Sequence, residues 1–377
     1  MNNKEFIPVN TPLIGEEEKE LVLNCMESSW ISSSGNFIDK FENEFSTYIG
    51  HSHGICCSNG SAALDIALRA LDYPKGSEII TQDFNIVSPL FSIIREGLTP
   101  VLIDSEDFDF NIDTNQIENK ITSKTRAILV SHMYCFPAEM EKILLLCEKY
   151  KLDLIEDAAE MHGQEYRGKK CGAFGLISTF SFYANKNITS GEGGMILTSD
   201  FKLAQRCRKL KNLAFEQNGP RFIHHEIGWN YRMTNIQAAI GLAQLRKIDH
   251  LLKLRKEIAN RYNIAFKNLK KIIIPRPVNH NSENIYWVYP LLFSSKKDKT
   301  IAEKLLKDEN IDTRPLFHPM HLQPFLQKLN INYLGNQKFI NSVRYYESGF
   351  YIPNGLGTKK EDYDRVIHTI IEIDNAL

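Results

Sequence analysis

Through the middle of the chain, short apolar runs alternate with longer stretches of helical character. Glu78-Ile-Ile-Thr, Val101-Leu-Ile-Asp, Ala127-Ile-Leu-Val, Leu152-Asp-Leu-Ile-Glu-Asp and Ile177-Ser-Thr-Phe-Ser-Phe read as short strands. Between them, Ala62–Leu71 is rich in Ala and Leu, and Met140–Tyr150 also suits a helix. Strands that alternate with helices predict a mostly parallel central sheet covered by helices, an α/β fold. Upstream, an arm leads into helical segments, with Leu21, Val22 and Cys25 at helical spacing in Glu16–Met26. Downstream, Met233–Leu252 reads as one long helix. Beyond residue 250 the chain turns Lys-rich, with helices predicted at Leu252–Leu269, Ile301–Glu309 and Lys360–Ile373 and a β-type stretch at Asn284–Phe293. The predicted organisation is a large domain over residues 1–250 and a smaller C-terminal α+β domain over 251–377.

A length of 377 residues fits two domains that share a large core. A net charge of −1 gives no basic excess of the kind that nucleic acid or an anionic membrane selects. No stretch approaches the roughly 18 uninterrupted apolar residues of a membrane span. The N-terminus, Met1-Asn-Asn-Lys-Glu-Phe-Ile-Pro, has no apolar signal core. The seven cysteines (Cys25, Cys56, Cys57, Cys135, Cys147, Cys171 and Cys207) include no C-x-x-C pair and are odd in number. That pattern argues against a disulfide framework or a zinc site and for reduced thiols in a cytoplasm.

Four segments carry candidate chemistry. Ser178-Thr-Phe-Ser-Phe-Tyr-Ala-Asn-Lys186-Asn-Ile-Thr-Ser-Gly-Glu-Gly-Gly places one lysine after an apolar strand and before a Gly-rich turn. A Schiff-base lysine needs such a rigid, partly desolvated setting to lose its proton, although most lysines are simply solvated. Leu154-Ile-Glu-Asp157-Ala-Ala-Glu160 ends an apolar strand in a carboxylate. Such an Asp can keep a cofactor's ring nitrogen protonated, or it can cap a following helix. Cys57-Ser-Asn-Gly60-Ser61 is a turn opening a helix, which suits an anion or an ordinary N-cap. Gly228-Trp-Asn230-Tyr-Arg232-Met-Thr-Asn puts polar residues at a helix start, where surface polarity is the simpler explanation.

Taken in order, these segments resemble the DegT/DnrJ/EryC1/StrS family of sugar-nucleotide aminotransferases, which are fold-type I pyridoxal-phosphate enzymes. The resemblance runs over essentially the full length. It is carried by Trp30-Ile-Ser-Ser-Ser-Gly-Asn-Phe-Ile-Asp-Lys-Phe-Glu, Ser58-Asn-Gly-Ser-Ala-Ala-Leu, Glu156-Asp-Ala-Ala-Glu and Phe180-Ser-Phe-Tyr-Ala-Asn-Lys. Thr189-Ser-Gly-Glu-Gly-Gly-Met, Asn230-Tyr-Arg-Met-Thr-Asn and Thr313-Arg-Pro-Leu-Phe-His-Pro-Met-His carry it further. The run from Arg221 to Asn235 is most similar to the branch that aminates a 4-keto-6-deoxy hexose carried on GDP.

The resemblance implies pyridoxal 5′-phosphate as cofactor, glutamate as amino donor and GDP-4-keto-6-deoxy-mannose as substrate, in surface polysaccharide (O-antigen) biosynthesis. It also implies a homodimer or higher homo-oligomer, and no metal. Lys186 would be the Schiff-base lysine and proton carrier. Asp157 would pair with the ring nitrogen, Glu160 would lie near the ring hydroxyl and Phe84 would stack on the ring. Gly60, Ser61 and Ser181 would hold the phosphate, Asn230 or Arg232 would reach into a partner's phosphate site, and Met320-His321 would lie in the sugar-nucleotide cleft. The chain departs from the family at Thr81-Gln-Asp-Phe (usually Pro-Thr-Phe), at Cys135 (usually Gly) and at Asn354 (commonly Ser). The alternatives are a UDP- or dTDP-linked keto sugar, a dehydratase with His in place of the lysine, and a sugar-binding regulator without turnover. Lys186 and Asp157 together argue against the last two.

Overall fold

The computed structural model describes residues 4–107, 109–134, 136–216, 219–220, 222–279, 282–329 and 337–377. Its centre is a seven-stranded sheet. In chain order the strands are β1 (His53–Cys57), β2 (Glu78–Gln82), β3 (Thr99–Ile103), β4 (Thr125–Ser131), β5 (Asp153–Asp157), β6 (Ile177–Ser181) and β7 (Gly194–Thr198). Across the sheet they run β1-β7-β6-β5-β4-β2-β3. Neighbours pair in parallel except at β7, which is antiparallel to both β1 and β6.

Both faces are covered, which is why these strands read as apolar runs and not as alternations. On one face, Phe37, Phe41 and Phe45 of the helix Asn36–Ile49, with Ala238 and Leu242 of Asn235–Arg246, pack on Phe180, Met195 and Leu197. On the other, Ala63, Ile66 and Ala67 of Gly60–Leu71 meet Ile55, Ile155 and Ile196. A second core lies around a four-stranded antiparallel sheet, in the order Ile272–Ile273, Tyr289–Phe293, Gly349–Ile352, Arg314–Pro315. Helices Ile248–Phe266, Lys296–Asp308 and Lys360–Ala376 contribute to this core.

Three expectations change. The two abutting helices predicted over Met233–Leu252 and Leu252–Leu269 are Asn235–Arg246 and Ile248–Phe266, parted at Lys247 (φ −113°, ψ 17°), earlier than the predicted boundary. The first buries Ala238, Ala239 and Leu242 against the large sheet; the second keeps Ile248 and Leu251 in that same core and buries Ala259, Tyr262 and Phe266 in the other. The apolar spacing and the first core both run on through Lys247, so periodicity places the break late. The helix predicted from Ile301 begins at Lys296, because the Ser295 side chain accepts the Asp298 N–H and caps it. The N-terminal arm, expected within the large domain, is bridged at Ile7 to Ile311, and Ile7 is buried in the second core.

One buried carboxylate ties the sheet to its covering loops. Side chains alternate along β5, so Glu156 points away from the direction taken by Asp157. Glu156 accepts the N–H groups of Gly172 (2.7 Å), Phe174 (2.6 Å) and Gly175 (2.6 Å). It also lies 3.2 Å from Nε2 of buried His132. The Ala138 N–H donates to His132 Nδ1 (3.1 Å), so the ring proton sits on Nε2 and is donated to Glu156. Burial pushes the Glu156 carboxyl up; the His132 and backbone donors outweigh this and hold it below its ordinary value.

Glu156→Ala removes the acceptor for four buried donors. It is expected to destabilise the cofactor-free protein by about 3–5 kcal/mol, read from urea unfolding. Because the folded value is depressed, the Glu156 contribution is complete above the ordinary carboxylate range and is lost as pH falls through the lowered value. An unfolding midpoint equal to wild type at neutral pH would rule the role out.

Candidate active site

The carboxyl ends of the parallel strands meet at one edge of the sheet, where open α/β folds bind ligands. A cleft of about 490 Å³ lies there. At the end of β1, Asn59 caps the helix Gly60–Leu71 by accepting the Ala62 N–H (2.8 Å). Helix geometry leaves the N–H groups of Gly60 and Ser61 without intrahelical acceptors. A Cβ on Gly60 would stand 2.8 Å from the Ser181 Cβ, so only glycine lets the end of β6 come this close. Ser61 Oγ is 2.7 Å from Ser88 Oγ. Amide groups at a helix start, ringed by the hydroxyls of Ser61, Ser88 and Ser181, make a cradle of a kind that suits an anion.

Asp157 ends β5 and is buried. Its oxygens are met by the Ser131 hydroxyl (3.3 Å) and the Ala159 N–H (3.2 Å). A turn follows it and not a helix, so the helix-cap alternative has nothing to cap. Burial raises the Asp157 carboxyl above its ordinary value, against the pull of Ala159 and Lys186. Glu160 is likewise raised by burial, with Lys186 opposing. The Tyr134 N–H donates to Glu160 (2.7 Å), and Tyr134 takes a left-handed backbone (φ 49°) next to the site. Lys186 lies in a tight turn after β6, its N–H donating to the Tyr183 carbonyl (2.9 Å). Burial lowers its amine, and Glu160 and Asp157 pull it partly back. An amine whose charged form is disfavoured gives up its proton more readily, which imine formation requires.

Of the residues singled out in the sequence, Gly60, Ser61, Asp157, Glu160, Ser181 and Lys186 line this cleft. Four do not. Phe84 is fully buried among Phe110, Tyr134 and Tyr345, with ring centroids 5.3–5.9 Å away. The chain leaves β2 at Gln82 and sends Phe84 into this aromatic core, so Asn85 and Ile86 form the wall where ring stacking was expected. His321 is held by buried Asp83, Nδ1 to Oδ2 2.7 Å, and stacks on Phe339; Met320 is buried beneath it. Phe317, from the same segment, reaches the cleft instead. Arg232 Nε donates to Asn230 (2.9 Å), and neither residue enters its own chain's cleft. Asn354 is buried and donates to the Tyr286 carbonyl (2.7 Å), away from the site. Cys135 and Arg221 lie outside the described residues.

Sequence reasoning missed Ser88, Ser131, Tyr351 and Trp287, which also line the cleft. Ser88 could have been found as the start of a short helix with Pro89 in its first turn. Trp287 has no such signal, being one aromatic within an apolar stretch. No cluster of His, Cys, Asp or Glu among the described residues could hold a metal, and none of their helices is long and apolar enough to cross a membrane.

The residues fit pyridoxal phosphate. The cradle that a Cβ on Gly60 would crowd suits its phosphate, and buried Asp157, which Lys186 draws only partly back from its raised value, suits a protonated ring nitrogen. The fold and this site define the class of fold-type I pyridoxal-phosphate aminotransferases. More narrowly, residues 12–371 match the DegT/DnrJ/EryC1/StrS aminotransferase family, and the chain belongs to it. It is 40% identical over 320 residues to the GDP-perosamine synthase of Escherichia coli O157:H7, covering 85% of this chain and 87% of that one. It is 37% identical over 376 residues to the GDP-perosamine synthase of Caulobacter vibrioides, covering 99% and 100%. Among solved structures, Helicobacter pylori PseC, an aminotransferase involved in the biosynthesis of pseudoaminic acid, superposes with a TM-score of 0.92 at 25% identity, covering 99% and 100%.

Asp157→Asn keeps the side chain's shape and removes its charge. Cofactor should remain bound while turnover falls on the order of 10²–10³-fold, the size of one preorganised electrostatic contact. Near-normal turnover, with cofactor occupancy measured by absorbance, would remove Asp157 from the chemistry.

Proposed function

We propose that this aminotransferase moves an amino group from glutamate to the keto carbon of GDP-4-keto-6-deoxy-mannose, giving GDP-perosamine for surface polysaccharide such as O-antigen, in the cytoplasm. The observation that carries the reaction type is the cleft-lining trio of half-buried Lys186 and buried Asp157 and Glu160 at the carboxyl edge of the sheet. The two GDP-perosamine synthases at 37–40% identity support the choice of sugar and nucleotide.

Pyridoxal phosphate, when bound, supplies the electron sink. Lys186 would attach it and would carry the proton at the reacting carbon. Asp157 would keep the ring nitrogen protonated, and Glu160 would serve the ring hydroxyl. Gly60, Ser61, Ser88 and Ser181 would hold the phosphate. Donor and keto sugar use one cleft in turn. The large unit, residues 1–250 less the N-terminal arm, carries the cofactor, and residues 251–377 close over it. The protein works as a homodimer in which Asn230 or Arg232 of each protomer serves its partner's phosphate site, a reading supported by the exposed apolar Phe222, Ile223 and Ile227 just upstream.

Two outcomes follow. Across GDP-, UDP- and dTDP-linked 4-keto-6-deoxy sugars, kcat/KM should be highest for GDP. A site that hydrogen-bonds a guanine edge leaves buried groups unpaired against a pyrimidine. Equal or better turnover of a UDP or dTDP substrate would move the protein to another branch of its family. Separately, Lys186→Ala and Arg232→Ala proteins should each be inactive. Dissociated together and re-assembled, they should recover about a quarter of wild-type activity, since half the dimers are hybrids with one intact site. No recovery would mean that the sites are not shared.

A further inference from the structure

Trp287 comes from the segment that enters the second sheet, yet it lies against the lysine-bearing turn of the first. Its indole N–H donates to the Asn185 carbonyl (2.9 Å), and Nζ of Lys186 stands 3.9 Å from its ring centroid. From elsewhere the indole is fixed by Tyr134, stacked at 6.0 Å with planes 21° apart. Its backbone carbonyl accepts from Nη1 of buried Arg255 (3.3 Å). The side chain is buried, so water does not compete for its face. An ammonium over a desolvated indole is the strongest form of cation–π contact among side chains.

We propose that Trp287 is a positioning residue for Lys186, its indole face receiving the side-chain ammonium whenever the lysine is not covalently attached to the cofactor. This rests on Lys186 being the attachment point. A lysine that carries a proton between two atoms must spend part of each turnover as an ammonium in a dry site. Asp157 at the end of β5 and Glu160 in the turn after it act on it there, as does buried His162, whose imidazole burial pushes down to about 3. His132 at the end of β4, Glu192 from the Gly-rich turn, and Tyr183 and Tyr351 complete the titratable wall of the cleft. Both facing carboxyls are themselves raised by burial and so give less charge than two exposed carboxylates would. The indole face adds an attraction that does not titrate, and it tethers the lysine loop to the second sheet.

The test follows attachment of pyridoxal phosphate to cofactor-free protein by its visible band, as a function of pH. Only the neutral amine reacts, so the rate rises with pH through the lysine midpoint. Losing the indole face destabilises the ammonium and lowers that midpoint. Trp287→Leu should shift it down by about one pH unit, a tenfold faster attachment on the acid side. Trp287→Phe keeps a ring face but loses the bond to Asn185, and should shift it by less than half as much. An unshifted midpoint in Trp287→Leu, or an equal shift in Trp287→Phe, overturns the proposal. In a protein whose other two tryptophans, Trp30 and Trp229, are replaced by Phe, Trp287 emission should titrate with the same midpoint and stop doing so in Lys186→Ala. Flat emission overturns the proposal even if Trp287→Leu fails to fold. Lys186→Ala also separates the two layers. If it still forms the visible band, the attachment reading fails and this inference falls with it; if it does not, an unshifted Trp287→Leu sinks the present inference alone.

Discussion

The site depends on keeping three ionisable side chains largely out of water together, two carboxyls buried and one lysine half-buried. Burial works against the charged form of each: it lowers the Lys186 amine and raises the Asp157 and Glu160 carboxyls. Their mutual attraction recovers part of that cost. The balance leaves a lysine ready to be neutral and a carboxylate in want of a cation, complementary needs that one cofactor meets at once. Because the electrostatic interaction grows as solvent is excluded, whatever seals the cleft also sharpens its chemistry.

Much of the remaining structure supports that exclusion. β5 delivers Asp157 to the edge because Glu156, one residue earlier, is locked on the opposite side by His132 and three backbone N–H groups. Gly60 lets β6 approach the phosphate turn closely enough for Ser181 to join it. The second sheet provides a cover, with Trp287, Phe317 and Tyr351 closing the open side. The chemistry therefore sits between two cores that share few residues, and each contributes a wall.

The residues legible in the sequence were those whose role is written by their place on a strand end. A carboxylate after an apolar run, a lysine after the next and a small-residue turn before a helix all follow from the geometry of a parallel sheet, and all reach the cleft. Phe84 and His321 were misplaced because a resemblance gives an order of residues but not the direction of a side chain. Phe84 follows a strand that has already ended, and His321 answers to an acid 238 positions away. Trp287 was invisible for the same reason, since its partner Asn185 lies 102 positions off. The boundary at Lys247, placed late at Leu252, shows the limit on the fold side, where apolar spacing registers that a face is buried without marking where the backbone breaks.

The reversed strand β7 has a consequence for what this scaffold can vary. Ser181 at the end of β6 pairs directly with Gly194 at the start of β7. The lysine loop is thus a closed ring of backbone, clasped by the first rung of a ladder, and not a passage to a distant crossover helix. A clasped loop has little conformational entropy to lose and little room for added residues. A Cβ at Gly194 would meet the Asn59 carbonyl at 2.2 Å, so the clasp is also pinned to the phosphate turn. The turn that carries Lys186 and the turn that opens the anion-binding helix are therefore held at one fixed spacing by backbone alone, whatever side chains line the rest of the cleft.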